Sequence, residues 1–266
     1  MESLSLRRSG HLAEIELTST LLGPAFWREL PEVFHTIDDD SEVRAAVLCA
    51  AGDHFSYGLD LQAMLPQWDY ALERDARAGP RYRFREEIRR LQDAVTAVAA
   101  CRKPVVTAIW GWCVGGGVDL AAATDIRIAS ADARFSVRET RLGVVADTGS
   151  LQRLRGIVSE GSLRRLALTG EDVGAERAAQ IGLVDEVHAD RDATLAAARE
   201  LAQRIAANPP LVVQGTKHIL DCDREPRVRD GLEYVATWNA AFLASDDFDE
   251  AIRAFHERRE PQFRGS

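Results

Sequence analysis

Three carboxylic acids in apolar surroundings are the residues best suited by type and position to do chemistry. Asp119 stands in the segment VDLAAA, Glu139 in SVRETRLG and Asp147 in VVADTGS. An acid among apolar or small residues either serves as a structural cap or buried pair, or has a raised proton affinity suited to acid–base catalysis. These three residues, called the acid triad below, are therefore candidate proton-transfer groups.

Two glycine turns stand where strands are expected to end and helices to begin. The apolar run VVTAI leads into Gly115, Gly116 and Gly117 and then into VDLAAA, which predicts a buried strand followed by a helix. A second apolar run, AAVLCA, precedes HFSYGLDL and places Gly58 at a similar turn. Because the first amides of a helix have no acceptor within it, two such turns are suited to bind one carbonyl oxygen that becomes negative.

The motifs FSYGLDL and GWCVGGGVDL together resemble those of the enoyl-CoA hydratase/isomerase (crotonase) superfamily, and the resemblance extends over residues 4–263. It implies an α/β fold, a crotonase-like spiral of ββα units with a helical C-terminal trimerisation region. It implies an acyl-CoA thioester as substrate, with coenzyme A part of the substrate and no separate cofactor. The oxyanion hole would be the backbone N–H groups of Leu59 and Gly116. The residues assigned to substrate binding lie in or just after the two motifs: Ser56, Tyr57, Gly58, Asp60, Leu61, Met64 and Gly115.

Within the superfamily the acids distinguish the branches. Enoyl-CoA hydratases have a glutamate at the position of Asp119, a second glutamate matching Glu139, and a glycine at the position of Asp147. The three acids of this chain are instead similar to those of the Δ3,5-Δ2,4-dienoyl-CoA isomerase branch. That resemblance implies that Glu139 and Asp147 remove a proton from C2 and deliver one at C6 of a 3,5-dienoyl-CoA, while Asp119 sets how their protons are shared.

Alternatives remain at this point. An enoyl-CoA hydratase would add water with Glu139 and Asp119, and a non-catalytic CoA-binding protein would keep the same fold. Each acid also has a possible structural role: Asp119 as a cap or pair near its helix, Glu139 in a surface ion pair with Arg138 or Arg141, and Asp147 as the cap of the following helix.

The composition and net charge of the chain indicate which classes of binding partner are expected. The chain has 266 residues, 46% hydrophobic and 28% charged, with a formal net charge of −9. This balance disfavours nucleic acid, because phosphate binding needs a basic surface. The four cysteines and six histidines follow no metal-binding spacing, so we expect no metal site. We also expect no membrane segment, and free thiols without a visible targeting segment predict a cytoplasmic protein.

Strand and helix patterns alternate to about residue 190, and only helical patterns follow. This predicts an α/β core with the CoA and catalytic site over residues 1–190 and a helical region over 191–266. The expected elements include a hairpin over 4–17, helices over 24–36 and 80–100, a short strand over 182–187, and a helix over 228–255 broken near 245–247.

Two groups of apolar residues in the predicted helices could lie in the core, in the pocket or at an interface between subunits. Met64, Leu65 and Trp68 have two possible roles, as a wall of the acyl pocket or as ordinary core packing. The segments TLAAARELAQRIAA and VATWNAAFLA are too apolar for the surface of a monomer, which predicts a homotrimer or hexamer.

Overall fold

Six mainly parallel strands form the central sheet of the computed structural model, which describes residues 1–73 and 75–266. The strands of the chain are β1 (Leu4–Ser9), β2 (Leu12–Leu17), β3 (Leu21–Leu22), β4 (Ala45–Ala50), β5 (Gly58–Leu59), β6 (Val105–Ile109), β7 (Trp112–Val114), β8 (Ile126–Ser130), β9 (Arg134–Ser136), β10 (Val173–Gly174) and β11 (Glu186–His188). The central sheet has the order β1-β2-β4-β6-β8-β11, with only the β1–β2 hairpin antiparallel.

Helices cover this sheet and continue to the end of the chain. They are α1 (Pro24–Asp39), α2 (Leu61–Met64), α3 (Asp69–Leu72), α4 (Ala78–Ala100), α5 (Gly116–Ala122), α6 (Ser150–Arg153), α7 (Glu160–Thr169), α8 (Ala175–Gln180), α9 (Arg191–Ala206), α10 (Pro210–Asp221), α11 (Glu225–Phe242) and α12 (Asp246–Glu257). Short 3-10 turns span Leu65–Gln67, Glu139–Leu142 and Leu154–Gly156. The predicted α/β class is thus confirmed.

The burial of the central strands explains why their sequences are almost wholly apolar. Every residue of β4 and β6 is buried, as expected for parallel strands covered on both faces. Helix α9, from the predicted helical region, packs against β4, β6 and β8. Part of the C-terminal region therefore completes the core.

Two small sheets carry the turns of the candidate site. Strand β3 pairs in parallel with β5, and β9 lies between β7 and β10. An isolated parallel bridge between Ser56 and Cys113 joins the segments just before the two glycine turns. This bridge brings the two turns together although they are almost sixty residues apart in sequence.

Several predicted boundaries differ from the structure. The helix expected after the Gly58 turn becomes two short helices and a 3-10 turn that contains Pro66. The strand predicted over 182–187 begins only at Glu186, because Gly182 turns the chain with a φ of +79°. The break near 245–247 is confirmed, since Ser245 Oγ accepts a hydrogen bond from Phe248 N at 3.1 Å and starts α12. No helix among residues 1–73 and 75–266 combines the length and apolar character needed to cross a membrane.

Candidate active site

A cavity of about 630 Å³ lies between the glycine turns and the C-terminal helices. Its polar wall contains the three residues of the acid triad together with Gly58, Leu59, Gly115 and Gly116. Most of the remaining wall is apolar and includes Phe84 and Ile88 of α4, Leu243 just after α11, and Phe248 of α12. A largely apolar cleft with a few convergent polar groups is typical of a small-molecule site.

The first glycine turn exposes one backbone amide. Gly58 has a φ of +85°, and a Cβ there would lie 2.8 Å from Val114 O, so only glycine fits. Asp60 N donates to Leu22 O of β3 at 3.2 Å. Because alternate amides of an extended segment point in opposite directions, the N–H of Leu59 points away from β3.

The second glycine turn exposes another amide beside the first. Gly116 is the first residue of α5, so its N–H has no acceptor within the helix. A Cβ on Gly116 would lie 3.7 Å from Leu59 N, which shows how closely the two turns approach. Both residues line the cavity. Two backbone amides of the glycine turns therefore lie close together at the cavity wall.

Glu139 presents a buried carboxyl oxygen to this site. It begins a 3-10 turn, and its Oε2 has no hydrogen-bond partner among the described residues. Burial, followed by the charges of Asp119 and Asp147, raises the pKa of Glu139 to about 8. The proposed surface pair with Arg138 does not form, because Arg138 donates to Asp172 at 2.5 Å.

Asp147 is held by an amide from α11. Its Oδ2 accepts from Asn239 Nδ2 at 2.6 Å, and Gln92 Nε2 of α4 donates to its backbone oxygen at 2.8 Å. Burial raises the pKa of Asp147 to about 7; the Asn239 bond opposes this rise and the charge of Asp119 adds to it. Helix α6 begins after Gly149 without a side-chain cap, so Asp147 does not cap it.

Asp119 is the most enclosed member of the triad. It is 1% exposed and accepts a hydrogen bond from Ser150 N, the first amide of α6. Burial raises the pKa of Asp119, while the hydrogen bonds from Thr148 and Ser150 and the charge of Arg153 lower it. The possible structural role of Asp119 is therefore confirmed in part. Its carboxylate accepts a hydrogen bond from the amino-terminal end of α6, and it also lines the cavity.

The residues predicted to bind substrate divide into two groups. Five line the cavity: Tyr57, Gly58, Asp60, Leu61 and Gly115. The other two do not line it, because both are buried. Ser56 Oγ donates to Thr20 O at 3.0 Å, and Met64 packs in the hydrophobic core. Leu65 and Trp68 line the cavity, so the pocket-wall alternative holds for them.

Sequence reasoning missed the contribution of α12. Phe248, Ala251 and Ala254 on this helix line the cavity, as does Pro261 in the tail that follows. The tail folds back against α12 and is held there by two contacts. Arg259 pairs with Glu250, and Gly265 N donates a hydrogen bond to Asp247 Oδ2 at 2.8 Å. The helical pattern after the break near 245–247 was predicted, but nothing in it indicated which surface the helix would cover.

Comparison with known proteins identifies the family of this fold and site. The family model described as enoyl-CoA hydratase/isomerase matches residues 16–266. The chain belongs to the enoyl-CoA hydratase/isomerase family. It is similar to a solved enoyl-CoA hydratase/isomerase from Mycobacterium paratuberculosis, with a TM-score of 0.82 and 28% identity, covering 94% of this chain and 97% of that one. The expected crotonase fold is thereby confirmed.

Two relatives in this enoyl-CoA hydratase/isomerase family bear the same enzyme name. The chain is 39% identical over 260 residues to the peroxisomal Delta(3,5)-Delta(2,4)-dienoyl-CoA isomerase of Arabidopsis thaliana, covering 98% of this chain and 91% of that protein. It is 41% identical over 239 residues to the mitochondrial protein of that name from Dictyostelium discoideum, covering 90% of this chain and 81% of the relative. The predicted resemblance to this branch is confirmed.

Proposed function

We propose that this protein converts a 3,5-dienoyl-CoA into the 2,4-dienoyl-CoA by moving protons between carboxyl groups. The observation that carries the proposal is the third acid: Asp147 lines the apolar cavity together with Glu139 and beside two free backbone donors. The relatives named as dienoyl-CoA isomerases support the same reaction.

In this mechanism the thioester oxygen binds to the N–H groups of Leu59 and Gly116. Removing a proton from C2 moves negative charge onto that oxygen, so preorganised donors lower the barrier. One such donor typically contributes about 3 kcal/mol to transition-state stability. The closeness of Gly116 to Leu59 N supports this pairing.

Glu139 and Asp147 exchange the protons. One carboxylate takes the proton from C2, the electron pairs shift along the conjugated chain, and the other carboxyl group delivers a proton at C6. The 3,5 double bonds become 2,4 double bonds, and no atom is gained or lost. Raised pKa values of about 8 and 7 suit this task, because one group is protonated while the other is ionised near neutral pH. The reaction needs no separate cofactor, since coenzyme A is part of the substrate.

A direct assay tests the proposal. Purified protein is offered a 3,5-dienoyl-CoA and, separately, a 2-enoyl-CoA, while diene absorbance and hydration are followed. We expect isomerisation to dominate. Robust hydration without isomerisation would establish the enoyl-CoA hydratase instead, and absence of both reactions with retained CoA binding would indicate a non-catalytic protein.

The assembly and cellular location belong to the same proposal. We expect a homotrimer or a hexamer, because Tyr234, Trp238 and Phe242 form an exposed aromatic row on α11. We keep a cytoplasmic location as the expectation, supported by free cysteines, although the two relatives are named as peroxisomal and mitochondrial proteins.

A further inference from the structure

A fully buried arginine adjoins the acid triad without lining the cavity. Arg153, at the end of α6, is 0% exposed. Arginine is almost never fully buried without a partner, because taking an isolated charge out of water is costly. The position of Arg153 therefore requires a compensating negative charge nearby.

The hydrogen bonds of Arg153 go to neutral groups. Its Nη1 donates to Thr148 O at 3.2 Å and its Nη2 donates to Thr96 Oγ1 at 2.9 Å. Its Nε has no hydrogen-bond partner in the described part of the chain. A Cβ on Gly149 would overlap the guanidinium, so glycine at this position leaves the space that Arg153 occupies. These contacts fix the side chain but do not neutralise it.

Two carboxylates interact electrostatically with Arg153, namely Glu225 and Asp119. Glu225 has the larger effect, but its side chain is 37% exposed, so water screens its charge, whereas Asp119 is 1% exposed. Asp119 is linked to Arg153 through α6 and its preceding loop, because both Thr148 and Ser150 bond the Asp119 carboxylate. Arg153 is thus a buried cation that acts on the triad through Asp119.

The other charged and titratable groups around the triad are already engaged or neutral. Arg138 faces Glu139 and pairs with Asp172, Arg259 pairs with Glu250, and the buried thiol of Cys113 faces Asp119 with its pKa raised by burial. Arg141 lines the cavity but is exposed to solvent at its rim. Among the described residues, the fully buried positive charge that acts on Asp119 is that of Arg153.

We propose that Arg153 is a positioning residue that holds a single negative charge on the acid triad, so that a base and a protonated acid are present together. The inference rests on the proposed isomerase function. Without a nearby cation, burial favours the protonated form of all three carboxyl groups, and the fraction of protein molecules that hold a base falls. One fixed cation stabilises one anion among them, and the repulsion between carboxylates disfavours a second.

The first experiment separates the charge of Arg153 from its hydrogen bonds. Arg153→Gln keeps hydrogen-bond donors and loses the charge, Arg153→Lys keeps the charge, and Arg155→Gln makes the same change at an exposed position two residues away. In the pH profile of kcat, we expect the acid limb of Arg153→Gln to move up by about 1 pH unit or more. The Arg153→Lys and Arg155→Gln limbs should stay near that of the wild type. An unmoved limb in Arg153→Gln, with activity lowered equally at every pH, would mean a merely structural role.

The second experiment does not depend on any reaction. Without the cation, ionising the triad leaves uncompensated buried charge, so the denaturant midpoint of Arg153→Gln should fall below that of the wild type more at pH 8 than at pH 6. A pH-independent difference would overturn the inference even in an active isomerase. A pH-dependent difference in a protein without isomerase activity would instead reject only the proposed function.

A double variant covers the case in which Arg153→Gln does not fold. Arg153→Gln combined with Asp119→Asn removes the cation together with one of the three groups that share the negative charge, so less uncompensated charge is left in the buried site. Recovery of folded protein in the double variant would support charge compensation. A double variant that is as unfolded as the single one would refute it.

Discussion

At the scale of single residues, Asp147 separates the proposed isomerase from a hydratase. Asp147→Asn keeps the size of the side chain and removes its proton exchange. General acid–base groups typically contribute about 10²–10⁴-fold, so isomerisation should fall by at least about 10²-fold while CoA binding persists. The matched control is Asp93→Asn on the exposed face of α4. Equal isomerase rates in Asp147→Asn and the wild type would rule out the mechanism with three acids.

The pH dependence of the reaction follows from the same pair of acids. Burial raises the pKa of Asp147 to about 7 and that of Glu139 to about 8. Below this window both groups hold protons and no base remains, whereas above it both are ionised and no acid remains. We therefore expect a bell-shaped profile of kcat whose two limbs belong to the coupled pair. A rate that rises monotonically to pH 10 would contradict a shared proton.

Gly116 carries a separate prediction about the oxyanion hole. A Cβ at this position would lie 3.1 Å from Leu22 Cδ1, which can shift slightly, but a branched side chain would also occupy the space before Leu59 N. Gly116→Val should lower kcat by about 10²–10³-fold or more, with near-wild-type circular dichroism. Gly161→Val is the control, because a Cβ on Gly161 has nothing within 4 Å. Native rates in Gly116→Val would exclude Gly116 from the oxyanion hole.

The residues that would take part in the proposed reaction could be identified from the sequence, whereas the residues that hold them in position could not. The acids and glycines stand in short motifs in which residue type and local pattern agree. Asn239 and Arg153 act across long separations in sequence, and each is a polar residue within a helical pattern. A polar residue in a helical pattern is ordinarily placed at the surface, whether it has polar neighbours, as Arg153 has, or not, and only the fold shows that these two are buried.

At the scale of elements, the two-residue strands β3 and β5 illustrate a limit of periodicity. Alternation cannot be recognised in two residues, yet this pair directs the amide of Leu59 toward Gly116. Helix α12 shows the opposite case. Its helical pattern and the break before it were predicted, but the cavity that its apolar face covers is formed by distant parts of the chain.

The small residues of α12 predict how the cavity selects acyl chains. Ala251 and Ala254 are buried and line the cavity, so their size leaves room for the distal part of an acyl group. Ala251→Leu should lower kcat/KM for long-chain dienoyl-CoA by about 10-fold or more and spare short-chain substrates, because even one or two methylenes alter discrimination measurably. Arg253→Leu, on the exposed side of the same helix, is the control. A uniform effect on all chain lengths would place the acyl tail elsewhere.

At the scale of the whole molecule, the C-terminal helices have two faces with different consequences. One face of this region completes the protein itself, because α9 covers the central sheet and α12 encloses the cavity. The other face presents apolar side chains to solvent, including Leu211 and Leu220 of α10 and the aromatic row of α11. Sequence alone indicated that this region was too apolar for a surface, but it could not divide the apolar residues between core, cavity and interface.

The exposed aromatic row predicts the assembly of the protein. Trp238 and Phe242 have ring centroids 4.7 Å apart, and Tyr234 continues the row one helical turn earlier, at 70% exposure. Monomeric proteins seldom expose contiguous apolar patches of this kind, so we expect this face to be buried between copies of the chain. Sedimentation velocity should give a trimer or hexamer, and Tyr234→Asp should shift the distribution toward monomer, because a charge in an apolar interface is costly. Leu168→Asp, at 71% exposure on α7, is the matched control and should leave the assembly unchanged. A wild-type protein that sediments as a monomer across a hundredfold range of concentration would refute the predicted assembly.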